Sequence, residues 1–216
     1  MTTDIEELYP VTWKKPTAGI ILAAGISERF GTPKQLVKIK GSYMIEHVIR
    51  ASLDSNLHRI FLVLGHQQNR IYKAVAKNIK RFHNSRLEIV SNRHYRQGMS
   101  SSIRAGLSSA GNAFGSVMFL LGDQPMVDSR LINLMLNRFY QSDKNICAPV
   151  YKGKRGNPTI FSSKFFNLLL RIEGDSGGRD IIMASPDDML TIDTDSPACV
   201  YDIDTLSDLE ELKTIV

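Results

Sequence analysis

Gly19-Ile20-Ile21-Leu22-Ala23-Ala24-Gly25-Ile26-Ser27-Glu28-Arg29-Phe30-Gly31-Thr32-Pro33-Lys34 runs from an apolar segment into a glycine-containing loop that carries two cations. Its first five residues have the unbroken apolar character of a strand covered on both faces, as in a parallel sheet. Ile60–Leu64, Leu87–Val90 and Val117–Leu121 repeat that character. Between them lie amphipathic helical patterns at Met44–Leu53 and Asn69–Ile79. A further helix is predicted after Asp128, with Leu131, Ile132, Leu134, Met135 and Phe139 on its apolar face. Strands alternating with helices predict βαβ units: an α/β, Rossmann-like domain with a mostly parallel sheet and helices on both faces. Right-handed crossovers then gather the loops after the strand C-termini along one edge, where open α/β sheets bind ligands.

The rhythm changes after Tyr140. Ile146–Tyr151 and Asn157–Phe161 predict two strands around the turn Lys152-Gly153-Lys154-Arg155-Gly156, a small mixed β appendage. Ser163–Leu170 predicts a helix, and Thr205-x-x-Asp208 predicts the cap of a last helix with Leu206, Leu209 and Leu212 inward. Residues 1–17, polar and holding Pro10 and Pro16, are expected to be a lead-in, and 18–216 a single domain.

The chain has 216 residues and a formal net charge of +5, a mild excess that acidic small ligands explain as well as nucleic acid does. Its densest basic stretch, Arg70, Lys73, Lys77, Lys80, Arg81 and Arg86, lacks interleaved aromatics for base stacking and is expected to be a solvated helix face. Nucleic acid is therefore not an expected partner. Cys147 and Cys199 form no CxxC pair, and the five histidines lack metal-ligand spacing. No apolar run approaches membrane-spanning length, and Asp4, Glu6 and Glu7 stand where a secretory leader would be basic, so a cytoplasmic location is expected.

The loop after the first strand has the chemistry of a phosphate cradle. Small side chains let backbone amides approach, and Arg29 and Lys34 neutralise charge. It is neither a P-loop, which needs Gly-Lys-Ser/Thr, nor a G-x-G-x-x-G fingerprint; a plain tight turn with exposed cations stays open. Asp123, in Gly122-Asp123-Gln124-Pro125, falls at a strand C-terminus. It suits Mg²⁺, which takes one or two carboxylates plus phosphate oxygens, though a turn aspartate bonding its own backbone has the same pattern. In Asp202-Ile203-Asp204-Thr205, residues 202 and 204 face the same way in an extended segment, with helix capping as the other use of Asp204. Gly98, followed by Ser100, Ser101 and Ser102, offers amides and hydroxyls to a phosphate or base edge, or simply a serine-capped helix.

These segments resemble motifs of the MobA-like NTP transferase family. Leu22–Lys34 resembles LAAGxSxRxGxxKxL; Gly122–Pro125 resembles GDxP; Gly98–Leu107 resembles GMxxSLRxGL; Arg155–Phe161 resembles RGNPxxF; Gly174–Arg179 resembles GDxGxR; and Asp202–Leu209 resembles DIDTPEDL. The resemblance is closest to the family's molybdenum cofactor cytidylyltransferase branch. It implies transfer of CMP from CTP, or another NTP, to the terminal phosphate of the molybdopterin cofactor. Mg²⁺ would assist, and a molybdenum hydroxylase apo-enzyme would receive the product. It implies that Leu22, Ala23, Ala24, Gly25, Arg29, Lys34, Gly65, Asn92, Gly98 and Ser102 hold the nucleotide, with Arg29, Lys34 and Asp123 catalytic. It implies that Gln124, Arg155, Gly156, Asn157, Pro158, Asp175 and Arg179 take the acceptor, and that Asp123 with Asp202 or Asp204 takes the metal.

Two departures stand out. Leu206 and Ser207 replace Pro-Glu, and Asn92-Arg93-His94-Tyr95 replaces Asn-Pro-x-Trp. Guanylyltransferases of the family carry LAGG where this chain has Leu22-Ala23-Ala24-Gly25; the extra β-carbon of Ala24 favours a pyrimidine. The competing readings are guanylyl transfer in the same pathway, a cytidylyltransferase for sugar or polyol phosphates (Pro33-Lys34-Gln35-Leu36 resembles that motif), and a non-catalytic cofactor carrier.

Overall fold

A computed structural model describes residues 16–26, 32–81, 85–175 and 177–215. Most of the expected lead-in, together with Arg29 and Ser176, lies outside these residues. In chain order the elements are β1 Thr17–Ala23, β2 Lys38–Ile39, β3 Ser42–Tyr43, α1 Met44–Leu53, β4 Arg59–Leu64, α2 Gln68–Arg81, β5 Leu87–Ser91, α3 Met99–Ala110, β6 Ser116–Leu121, α4 Ser129–Tyr140, β7 Ile146–Tyr151, β8 Lys154–Arg155, β9 Thr159–Ser162, α5 Phe166–Leu169, α6 Arg179–Ala184, β10 Met189–Asp193 and α7 Leu206–Ile215.

The main sheet has the order β10-β7-β9-β6-β1-β4-β5, with β8 hydrogen-bonded to β7. β1 lies parallel to β4 and β6, β5 to β4, and β10 to β7. β9 is inserted antiparallel between β6 and β7, and β8 pairs antiparallel with β7. The mixed β portion expected late in the chain is therefore hydrogen-bonded into the main sheet. The separate small unit is the antiparallel pair β2–β3.

Alternation along β1 sorts the core into two layers. Ile21 and Ala23 face one cluster with Val48 and Ile49 of α1, Val75 of α2 and Met135 of α4. Ala18 and Ile20 face the other, with Ile103 and Leu107 of α3 and Ile181 of α6. Successive β-carbons of a strand point to opposite faces, so a run that is apolar throughout needs helices on both sides.

α4 starts at Asp128, whose carboxylate accepts the Leu131 N–H at 2.9 Å. Of the basic stretch, Arg70 and Lys73 are exposed on α2 as expected, but Arg86 departs from that expectation: its guanidinium donates to the carbonyls of Leu57 at 2.8 Å and of Leu53, closing the C-terminal end of α1. A helix end leaves carbonyls without partners, and a cation is favoured there. No helix among the described residues is long and apolar enough to cross a membrane.

Candidate active site

β1 and β6 end side by side, with Leu22 opposite Leu121, and the Gly122 N–H extends the ladder to Leu22 O at 3.0 Å. That extra step carries Asp123 just past the ligand edge. There a cleft of about 550 Å³ opens, lined among the described residues by Leu22–Ile26, Lys34, Gln35, Tyr95, Arg96, Gly98, Met99, Ser102, Leu121–Asp123, Asp175 and Asp204. It thus gathers seven of the nucleotide positions expected from the sequence and three of the expected carboxylates.

Lys34 heads a 3-10 turn, Lys34–Leu36, that follows Pro33. Gln35 anchors the turn: it is 3% exposed and donates through Nε2 to Ala23 O at 3.1 Å. From this base the Lys34 ammonium reaches Asp123 and, at 2.9 Å, Asp204 Oδ1. Burial lowers the pKa of Lys34, but the two carboxylates outweigh it and hold the value above the ordinary lysine range.

Asp204 arrives from the far end of the chain. The Ile203 N–H donates to Asp123 O at 3.1 Å, and Ile203 itself is buried. Thr205 and Asp208 then cap α7 reciprocally: Thr205 N–H donates to Asp208 Oδ2 at 2.7 Å, and Asp208 N–H to Thr205 Oγ1 at 3.2 Å. The Asp204 carboxylate is left for the cleft. The expected inward side chains of Leu206 and Leu212 lie outside the described residues, while Leu209 is buried.

Asp202 is held differently. Gln124, 2% exposed, donates from Nε2 to Asp202 Oδ1 at 2.6 Å and to Cys199 O at 3.3 Å. Burial and the neighbouring Asp123 raise the pKa of Asp202, and the Gln124 amide opposes them. Gln124 and Asp202 therefore brace the floor beside the cleft instead of lining it.

Other expected contacts are also moved off the cleft wall. Asn92 is 3% exposed; its Nδ2 donates to Ser101 Oγ at 2.9 Å and Ser102 Oγ at 3.0 Å, and its Oδ1 accepts the His94 N–H at 2.9 Å. Its polar atoms are engaged in fastening the 93–98 loop to α3. Gly65 is a packing position, since a β-carbon there would lie 2.6 Å from Tyr95 Cβ. In the acceptor segment, the Gly156 N–H donates to Pro149 O at 2.9 Å and the Asn157 N–H to Cys199 O at 2.8 Å, while Pro158 is buried. Backbone pairing turns this segment into the sheet, and Arg155 and Arg179 are exposed outside the cleft.

Asp175 does reach the cleft, where its Oδ1 accepts the Met99 N–H at 2.8 Å; the Ser100 N–H donates to Gly174 O at 3.0 Å. Gly98, at φ +87°, makes this close approach possible. Sequence reasoning missed Gln35, Tyr95, Arg96 and Met99. Tyr95 stacks edge-on against His66 with ring centroids 5.7 Å apart, and the Arg96 guanidinium lies 5.9 Å from the Tyr95 centroid. The signal was present in the family's Trp position, which Tyr95 occupies.

The family model for the MobA-like NTP transferase domain matches residues 19–189. A probable molybdenum cofactor guanylyltransferase of Natranaerobius thermophilus is 29% identical over 138 residues, which are 63% of this chain and 61% of that protein. The nicotine blue oxidoreductase of Paenarthrobacter nicotinovorans is 24% identical over 203 residues, 90% of this chain and 95% of that one. Among solved structures, Rv0371c of Mycobacterium tuberculosis H37Rv in complex with manganese shares the fold, with a TM-score of 0.68 at 23% identity over 93% of this chain and 100% of that chain.

Proposed function

The chain belongs to the MobA-like NTP transferase family, and from that premise we propose that it transfers CMP from CTP to the terminal phosphate of the molybdenum–molybdopterin cofactor, releasing pyrophosphate. The reading takes residues 18–216 as one catalytic domain and a molybdenum hydroxylase apo-enzyme as recipient of the product. The observation that carries it is the convergence of Lys34, Asp123 and Asp204 beside the small-residue turn Ala23–Gly25, at the joint end of β1 and β6.

An acceptor phosphate oxygen attacks the α-phosphorus, the bond to the β-phosphate oxygen breaks, and pyrophosphate leaves. The acceptor supplies the nucleophile, so the protein positions and stabilises charge. The backbone at Ala23–Gly25 admits the triphosphate closely, and Lys34 stabilises charge developing on the leaving pyrophosphate. Arg29 has the same role in this reading. A divalent ion fits the donor set: the hard oxygens of Asp123 and Asp204 already converge on one cation, the Lys34 ammonium, which stands in for it. When bound, Mg²⁺ would hold and neutralise phosphate oxygens. Asp202, tied to Gln124, would orient rather than ligate. The manganese in the Mycobacterium tuberculosis structure is in keeping with a divalent ion.

Guanylyl transfer to the same acceptor is the second reading, favoured by the name of the Natranaerobius relative. Pyrophosphate release measured with each of four NTPs, with and without molybdenum cofactor, tests both. Release with CTP that depends on the cofactor is expected; preference for GTP selects the second reading, and release with a polyol phosphate but not the cofactor overturns the acceptor.

A further inference from the structure

Lys34 occupies the point between Asp123 and Asp204 where the proposed function seats a metal. Two carboxylates and one ammonium leave that point with a single net negative charge. A divalent ion entering beside the ammonium would meet a like charge within hydrogen-bonding reach of its own ligands, and on the Asp123 side, where both partners are part-buried, solvent screens that repulsion poorly. The ammonium must leave first, and it needs somewhere to go. Its turn cannot carry it away, because Gln35 is buried and tied to Ala23 O. The movement therefore falls to the four-carbon stem of Lys34, which is flexible and ends in a rotatable donor. A triphosphate on the adjoining turn supplies the competing anion.

We propose that Lys34 is a built-in placeholder that keeps the metal seat closed until a nucleoside triphosphate draws its ammonium away, so that divalent metal is admitted with the nucleotide and not before it. This rests on the nucleotidyl-transfer reading for the identity of the anion, and on the observed ion pairs for the closed seat. It gives Lys34 two successive partners: the carboxylates first, the phosphates second. It also protects Asp123 and Asp204 from capture by free metal when nucleotide is scarce.

The test is equilibrium dialysis of the whole protein with radioactive Mn²⁺, alone and with the non-reacting analogue α,β-methylene-CTP on both sides of the membrane. Wild type without analogue is expected to bind Mn²⁺ at least tenfold more weakly than Lys34→Met. The analogue is expected to tighten wild type by tenfold or more and Lys34→Met by much less. Asp204→Asn, combined with Lys34→Met, is expected to abolish the gain. Lys34→Gln is the second neutral variant should Lys34→Met lose its fold. Wild type that binds Mn²⁺ without analogue as tightly as the neutral variants overturns the placeholder, whatever the pyrophosphate assay returns. Tight binding by the variants with no effect of the analogue on wild type supports the closed seat and instead removes the nucleotide from the proposed function.

Discussion

Asp175 accepts the backbone N–H of Met99 at 2.8 Å, so a turn some 76 residues downstream caps the first residue of α3 and closes one side of the cleft. Gly98 is what lets the two meet: an added β-carbon would lie 2.6 Å from Asp175 Oδ1 and from the Gly174 carbonyl. Its backbone, at φ +87° and ψ −177°, is in a region nearly restricted to glycine. Asp175→Ala is expected to cost about 1 kcal/mol, the usual worth of a lost cap. Gly98→Ala is expected to cost more, with strain alone contributing about 1–3 kcal/mol. Urea denaturation of both variants checks the order; equal stability of Gly98→Ala and wild type contradicts it.

The carboxylates are expected to separate by function. Asp123→Ala and Asp204→Asn should each lower pyrophosphate release by at least about 100-fold, the scale of a lost charge-stabilising contact of roughly 2.7 kcal/mol. Asp202→Asn keeps an oxygen for Gln124 and should stay within about tenfold, or 1.4 kcal/mol. A larger loss at Asp202 than at Asp204 would transfer the metal role to Asp202.

Most strands and helices were legible because their sequences obey one period each. The runs at Ile60–Leu64 and Val117–Leu121 became β4 and β6 with one more residue at the start, and Met44–Leu53 became α1 with the same bounds. β2 and β3 escaped because two residues carry no period, and β10 because an edge strand is half exposed and reads as a mixed segment, Met189–Asp193. Within the site, motifs located the turn at Ala23–Gly25, Lys34 and Asp123. They could not tell that Asn92 spends its polar atoms on Ser101, Ser102 and His94, or that Asn157 pairs with Cys199. Those assignments depend on which neighbours the tertiary fold supplies, and spacing along the chain does not encode them.

Base choice is expected to respond to Ala24. This residue is 3% exposed and its carbonyl accepts the His66 N–H at 3.1 Å, so the turn is held in place at the edge of the cleft, while its β-carbon packs beside Gly65 in the core layer and bears on the base through the backbone of the turn. Wild type should favour CTP over GTP in kcat/KM, and Ala24→Gly should shrink that ratio by an amount worth about 1–3 kcal/mol, typical of one methyl-sized change. An unchanged ratio would locate base selection elsewhere along the cleft, with Tyr95 the first residue to examine.

The cap of α4 supplies a pH dependence. Desolvation works against the Asp128 anion, but the Leu131 N–H and Arg130 outweigh it and hold its pKa below the ordinary aspartate value. A lowered folded pKa makes the stabilisation complete above the unfolded value of 3.8, and it fades as pH falls through the folded one. Asp128→Ala should therefore cost about 1 kcal/mol at neutral pH and progressively less below pH 3.8. Thermal melts of wild type and variant across that range read the difference directly.

β1 takes β4 on one side and β6 on the other, and its β6 partners begin with Ser116 opposite Thr17, 99 residues along the chain. On the ribosome, at roughly 5–20 residues per second, the strand therefore waits about 5–20 s for its second neighbour to be made. Throughout that interval Ile20, Ile21 and Leu22 present an unpaired, wholly apolar edge, the kind of template that recruits strands from other chains. Nascent chains ending before residue 116 should be aggregation-prone and dependent on chaperones, and the hazard should ease once β6 is available to cover that edge.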